Sequence, residues 1–191
     1  MKVVAFHASP RMGGNTDILL AETLKAIDPA VHAIRLFRLN KADIQPCQNC
    51  GGCEETGMCV QKDGMAEIYR SLREADRIIL ASPIFFFSLS AQAKIMIDRC
   101  QAFWCEKYLL KREISAGPYG RKGLLILVGG MKKETGRECG DATAKAFFRS
   151  ISVPEHVTLG YLGIDAKGAI REHPTALKEV FRAGERLVSA E

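Results

Sequence analysis

Apolar and polar positions change their period several times along the chain. Val3 to Phe6 is a short apolar run closed by "HASPRMGGN". Short runs of this kind, ended by Gly, Pro and Asn, read as buried strands. From Asn15 the spacing becomes helical, with Ile18, Leu19, Ala21, Leu24 and Ile27 recurring and Asn15 or Thr16 available to cap the start. Asp28 and Pro29 stop that helix, and Val31 to Leu36 alternates as a second strand. Met65, Ile68, Tyr69 and Leu72 form the apolar side of a helix opening at Asp63. Arg77 to Ala81 is a third strand, ending at Ser82-Pro83. Ala91 to Phe103 is helical, with Lys94 and Asp98 spaced to pair on its surface. Gly123 to Val128 is almost continuously apolar, as a strand covered on both faces should be. A helix over Ala142 to Ile151, a fifth strand in "HVTLGYLGI" and a helix from Pro174 to Ala190 complete the pattern.

Strands alternating with helices predict an α/β fold whose parallel sheet has helices on both faces. No repeat or linker interrupts the order, so one domain over residues 1–191 is expected, with a Cys-rich insertion at about 45–62. The chain is 47% hydrophobic and 26% charged, as soluble globular proteins are. Its net charge of +5 is mild and scattered, which argues against a nucleic-acid footprint and suits a phosphate-bearing ligand. No run reaches the roughly 20 apolar residues of a membrane span. The start lacks the h-region and cleavage site of a signal peptide. A cytoplasmic location is therefore expected.

In such folds ligands bind where loops leave the carboxyl ends of the strands. The first of these loops, "HASPRMGGNT", leads through Gly13-Gly14-Asn15-Thr16 into a helix start. Backbone N–H groups and the helix dipole there attract an anion. Ser9, Asn15 and Thr16 add side-chain donors and Arg11 a charged fork. The spacing is neither a P-loop nor a dinucleotide fingerprint, so a monophosphate is the natural guest. A plain Gly-containing turn with an ordinary cap is the bland alternative. The second loop, "SPIFFFSLSAQ", has three consecutive Phe residues. These suit either the wall of a flat aromatic ligand or, for Phe86 and Phe87, a subunit interface. In the third, "VGGMKKETG", paired glycines allow close backbone approach or a tight turn.

Between the second strand and the next helix lies "CQNCGGCEETGMC". Four cysteines spaced C-x2-C-x2-C-x5-C can wrap a four-iron cubane, with Gly51, Gly52 and Gly57 letting the backbone curl. Zinc takes four cysteines too, but from two separated pairs. An empty or oxidised thiol loop is the third possibility. Cys100, Cys105 and Cys139 are spread out, Cys100 on a buried helix face. His7 ends the first strand and reads as a structural residue.

The three loops together resemble those of flavodoxin-like FMN-binding oxidoreductases of the NADPH-dependent FMN reductase type, over nearly the whole chain. The resemblance implies a doubly wound five-stranded parallel sheet in the order 2-1-3-4-5, with FMN at the switch point. It implies that Ser9, Arg11, Asn15 and Thr16, with Gly14 at the helix start, hold the phosphate. Pro83, Ile84, Phe85 and Phe86 would line the ring, and Val128, Gly129, Gly130 and Met131 would meet its other edge. Many relatives carry Tyr where Phe85 stands, so a hydroxyl contact is lost there. Within the family the cysteine stretch resembles that of iron-sulfur flavoproteins, which implies a [4Fe-4S] cluster on Cys47, Cys50, Cys53 and Cys59. The implied function is electron transfer between a small-molecule or protein donor, such as a ferredoxin, and an acceptor. A cluster-free NAD(P)H-dependent reductase of flavin or quinone, and a non-catalytic thiol or metal sensor, are the alternatives. A homodimer or homotetramer is also implied.

Overall fold

The computed structural model describes residues 1–189 of the 191. Its strands are β1 (Lys2–His7), β2 (Ala33–Arg38), β3 (Arg77–Phe85), β4 (Ser88–Leu89), β5 (Lys122–Gly129) and β6 (Glu155–Leu162). Its helices are α1 (Asn15–Lys25), α2 (Met65–Glu74), α3 (Ala91–Arg99), α4 (Gln101–Trp104), α5 (Thr135–Ser150) and α6 (Ala176–Val188). The sheet runs β2-β1-β3-β5-β6, all parallel, with β4 paired antiparallel to the end of β3. Set aside the two-residue β4, and the expected 2-1-3-4-5 order remains.

Alternation along the strands builds two cores. Val4, Phe6, Ile78 and Leu80 face one side and meet α2, α3, α4 and α5 through Ile68, Leu72, Met96, Phe103 and Phe147. Val3, Ala5 and Ile79 face the other side, against α1 and α6 through Leu19, Leu20, Val180 and Leu187. Full burial of Ile79 or Leu80 contributes on the order of 1.5–3 kcal/mol each.

Several expected boundaries move, each for a local reason. The second strand starts at Ala33 rather than Val31, because the Asp28 carbonyl accepts the Val31 and His32 amides and prolongs the turn. The helix expected from Ala142 starts at Thr135. Its first turns face the sheet with Gly136 and Gly140, so no apolar side chain announced them. A Cβ at Gly136 would lie 2.8 Å from Ile84 Cγ2. The helix expected over Ala91–Phe103 is divided at Cys100, whose amide reaches both Met96 and Ile97 carbonyls, and it continues through α4 into a π turn, Cys105–Leu109. The Lys94–Asp98 pair forms as expected, at 2.8 Å. The last strand begins at Glu155 and stops at Leu162, and the last helix begins at Ala176. The expected end of that helix, Ala190, lies outside the described residues.

Candidate functional site

Sheet register places the loop exits at one level. His7 pairs with Ala81 across β1 and β3, and Pro83 pairs with Val128 across β3 and β5. The chain leaves β1 toward β2 on one side and returns to β3 on the other, which opens a crevice between the loops. A cleft of about 530 Å³ fills that crevice. Ser9, Arg11, Gly14, Asn15, Thr16, Pro83, Ile84, Phe85, Phe86, Val128, Gly129, Gly130 and Met131 all line it. Phe87, Ile164 and Asp165 line it as well. Ile164 and Asp165 both come from the loop after β6: Ile164, expected at the end of the fifth strand, lies beyond it because the strand stops at Leu162, and Asp165 had no signal in the sequence. The volume lies within the range of small-molecule and cofactor sites.

The first loop is held from below. Gly14 is the N-cap of α1 and no side chain caps the helix, contrary to the expectation for Asn15 or Thr16. The first-turn amides are therefore left for a ligand. Asp17 accepts the Gly13 amide at 2.9 Å and an Arg38 guanidinium N–H at 2.9 Å. Burial alone would raise the Asp17 carboxyl, but the Gly13 amide and Arg38 hold it below its ordinary value. His7 is fully buried and absent from the cleft lining, with Nε2 3.5 Å from Asp17. Burial pushes its imidazole down, so it is a neutral structural side chain at pH 7.

Asn15 does something the sequence did not announce. Its Nδ2 donates to the Ala166 carbonyl at 3.0 Å, and its Oδ1 accepts the Gly168 and Ile170 amides at 2.9 and 3.3 Å. The side chain thus ties the loop after β6 to the phosphate-side loop. Asn15→Ala is expected to lower the unfolding free energy by about 1–3 kcal/mol, from the stranded buried amides, which urea unfolding would check.

The second loop is a hairpin turn. Phe85 pairs with Ser88, which leaves Phe86 and Phe87 as the two turn residues, at φ 48° and 62°. Two positive φ values match type I′ turns, which favour Asn-Gly. Bulky side chains there cost on the order of 1–3 kcal/mol each. Phe86 is fully exposed, yet both rings stand on the cleft wall. Replacing Phe86-Phe87 by Asn-Gly is expected to raise stability by about 1–2 kcal/mol, which urea denaturation would show. Beneath the turn, the buried Ser90 hydroxyl donates to the Ala8 carbonyl at 2.6 Å and caps α3 by accepting the Ala93 amide at 3.3 Å. One side chain thereby links the first and second loops. In the third loop Gly129 is required, since a Cβ there would lie 2.9 Å from Ile84 Cβ.

Cys47, Cys50, Cys53 and Cys59 line one separate hollow of about 30 Å³, with Arg99, Gln101 and Ala102 among its walls. Among the described residues no three His, Cys, Asp or Glu side chains converge tightly enough to chelate a single ion. Gly57 is buried with φ 74°, and the left-handed turn it permits brings the loop against the Glu106 side chain. The ends of the loop are tied by Arg99. Its buried guanidinium meets Asp63 at 2.6 and 3.2 Å and donates to the Gln45 carbonyl at 2.8 Å. Cys105, which looked unrelated in the sequence, is buried with its sulfur 3.6 Å from that of Cys53. Burial and the Cys105 thiol push the Cys53 thiol up to about 12. Cys100 is buried on its helix as expected, and Cys139 is exposed and apart.

Comparison with known proteins agrees with this geometry. Residues 1–160 match the model of the NADPH-dependent FMN reductase family. An iron-sulfur flavoprotein of Methanocaldococcus jannaschii is 40% identical over 99 residues, covering 52% of this chain and 51% of that protein. One from Archaeoglobus fulgidus is 33% identical over 133 residues, covering 70% of this chain and 57% of that protein. The matched region thus spans little more than half the length of these curated relatives. An FMN-dependent NADH-azoreductase of Bacillus anthracis, solved with FMN, superposes with TM-score 0.74 at 15% identity, over 99% of this chain and 100% of that one. The NAD(P)H:quinone oxidoreductase of Methanothermobacter marburgensis does so with TM-score 0.73 at 16% identity, over 100% of this chain and 98% of that one. At such identities these two likenesses speak to fold. With the family model matching most of its length and the three strand-end loops meeting in one cleft, the chain belongs to the NADPH-dependent FMN reductase family.

Proposed function

We propose that this protein is an FMN-dependent oxidoreductase that passes electrons between a donor and an acceptor, with a [4Fe-4S] cluster on Cys47, Cys50, Cys53 and Cys59. The observation that carries the flavin part is the meeting of the strand-end loops in a single cleft of cofactor size. Open amides at the start of α1, the Ser9 hydroxyl and the exposed Arg11 suit a phosphate. Apolar walls at Pro83, Ile84, Phe85 and Val128 suit a flat ring. Bound FMN supplies two-electron and one-electron chemistry. The first loop would hold its phosphate, the hairpin residues Phe85 and Phe86 would line the ring side of the cleft, and Gly129 and Gly130 would let it approach the backbone of the third loop. Asp165, beside Gly130 of the third loop, is a side-chain acid in the cleft lining.

The cluster part is supported by the donor set and its arrangement. Four thiols surround a hollow rather than a point, as ligands must when each binds its own iron. The donor is proposed to be NAD(P)H or a reduced protein such as a ferredoxin, the protein to act as a homodimer or homotetramer, and its location to be cytoplasmic. No helix among the described residues is long and apolar enough to cross a membrane.

A second reading keeps the flavin and dispenses with the cluster, as in an NAD(P)H-dependent flavin or quinone reductase. The family description favours it. Anaerobic purification separates the two. The visible spectrum, with iron, zinc and FMN assayed on the same sample, is expected to show about four irons and one FMN per chain. Flavin without iron would establish the simple reductase, and a chain without flavin would sink both readings.

A further inference from the structure

Cys105 stands outside the four-cysteine motif, yet the fold delivers it there. The division of the helix at Cys100 and the π turn that opens at Cys105 aim its sulfur at Cys53, 3.6 Å away. Gln101 Nε2 lies 3.6 Å from the same sulfur on the other side. The next residue, Glu106, packs on Gly57 and is gripped by Arg73 at 2.6 and 3.1 Å. Arg112 donates to the Thr56 carbonyl at 2.9 Å. The π turn and the cysteine loop are therefore clamped together, and the thiol pair is held in register. Cys53 is half-buried on the hollow, whereas Cys105 is fully buried behind it. Among the described residues Cys105 is the thiol in contact with Cys53. A reachable thiol backed by a buried one is the arrangement of an oxidisable cysteine and its resolving partner.

We propose that Cys53 and Cys105 form a reversible disulfide that closes the cysteine loop when it carries no cluster. Hydrogen peroxide converts the Cys53 thiol to a sulfenic acid and releases one water. The Cys105 sulfur then attacks the Cys53 sulfur. The S–S bond forms, the S–O bond breaks, and the hydroxyl leaves as a second water with the Cys105 proton. Two thiols and one peroxide give one disulfide and two waters, with two electrons passing to the peroxide. A dithiol reductant reverses the step by exchange. The sulfurs must close from 3.6 Å to about 2.05 Å. The disulfide stands without the cluster reading. Its consequence, that one of four ligands is withdrawn and iron cannot be taken up, rests on that reading.

The test uses the full chain in metal-free form. It is exposed to peroxide over a time course, alkylated, digested and mapped by mass spectrometry, and a parallel sample is offered ferrous iron and sulfide. The expected product is a Cys53–Cys105 linked peptide, with loss of iron uptake that a dithiol restores. In Cys105→Ser the Cys53 sulfenic acid is expected to persist after the same peroxide dose, trapped by dimedone and free of any link to residue 105. Linkage of Cys53 to Cys47, Cys50 or Cys59, or a sulfinic or sulfonic acid at Cys53 with Cys105 fully alkylated, would overturn the proposal. Failure of the reduced wild type to take up iron sinks the cluster reading instead, and the peptide map still decides the disulfide.

Discussion

Arg99→Met is expected to lower the unfolding free energy by about 3–5 kcal/mol, the range for breaking a buried ion pair from one side. Arg99 has no exposed side-chain surface and Asp63 only 8%, so the carboxylate left behind cannot be rehydrated cheaply. The substitution also removes the bond from Arg99 to Gln45, and with it the tie between the two ends of the cysteine loop. Urea denaturation of metal-free protein would show the loss. Replacing both partners by apolar residues should recover much of it, because the stranded charge rather than the missing attraction is the main cost. The same pair sets an acid limit. Burial would raise the Asp63 carboxyl, but Arg99 and the Gln45 and Met65 amides hold it below its ordinary value. A depressed folded pKa means the contribution is complete above the unfolded value of about 3.9 and is lost as pH falls through the folded one. The Arg99→Met variant should therefore show a flatter stability profile below about pH 4 than the wild type.

On the proposed cluster reading, Cys50→Ser is expected to reduce bound iron from about four per chain to nearly none, with FMN content unchanged. Cys50 is exposed and serine is close to it in size, so the fold and the flavin cleft should persist. The two cavities share no lining residue, which is why the effects separate. Iron and flavin assays on one anaerobic preparation would check this. Iron that survives the change would remove Cys50 from the ligand set. A parallel loss of flavin would mean that the cysteine loop supports the cleft itself.

Much of the architecture was legible in the residues. The β1, β3 and β5 runs are apolar on consecutive positions, and only strands covered on both faces carry such runs. The three loops that build the cleft were legible as well, because parallel topology forces strand ends to one side. What stayed hidden has a common cause. Gly136 and Gly140 give a helix face with no side chain to count, so the first turns of α5 were silent. The periodicity from Ala91 to Phe103 runs through the division at Cys100 without a change, since apolar spacing records which face is buried and not where the axis bends.

The cysteine spacing, the Gly-rich loop at the start of α1 and the alternation of strands with helices are local or periodic properties, and the order of residues by itself determines them. Asn15 bonded to residues 166–170, Arg99 beneath the loop and Cys105 against Cys53 are pairings between distant segments. Only packing of the two helical layers on the sheet decides which of many polar side chains meet, because each such contact forms after the chain entropy of closing a long loop has been overcome by burial elsewhere.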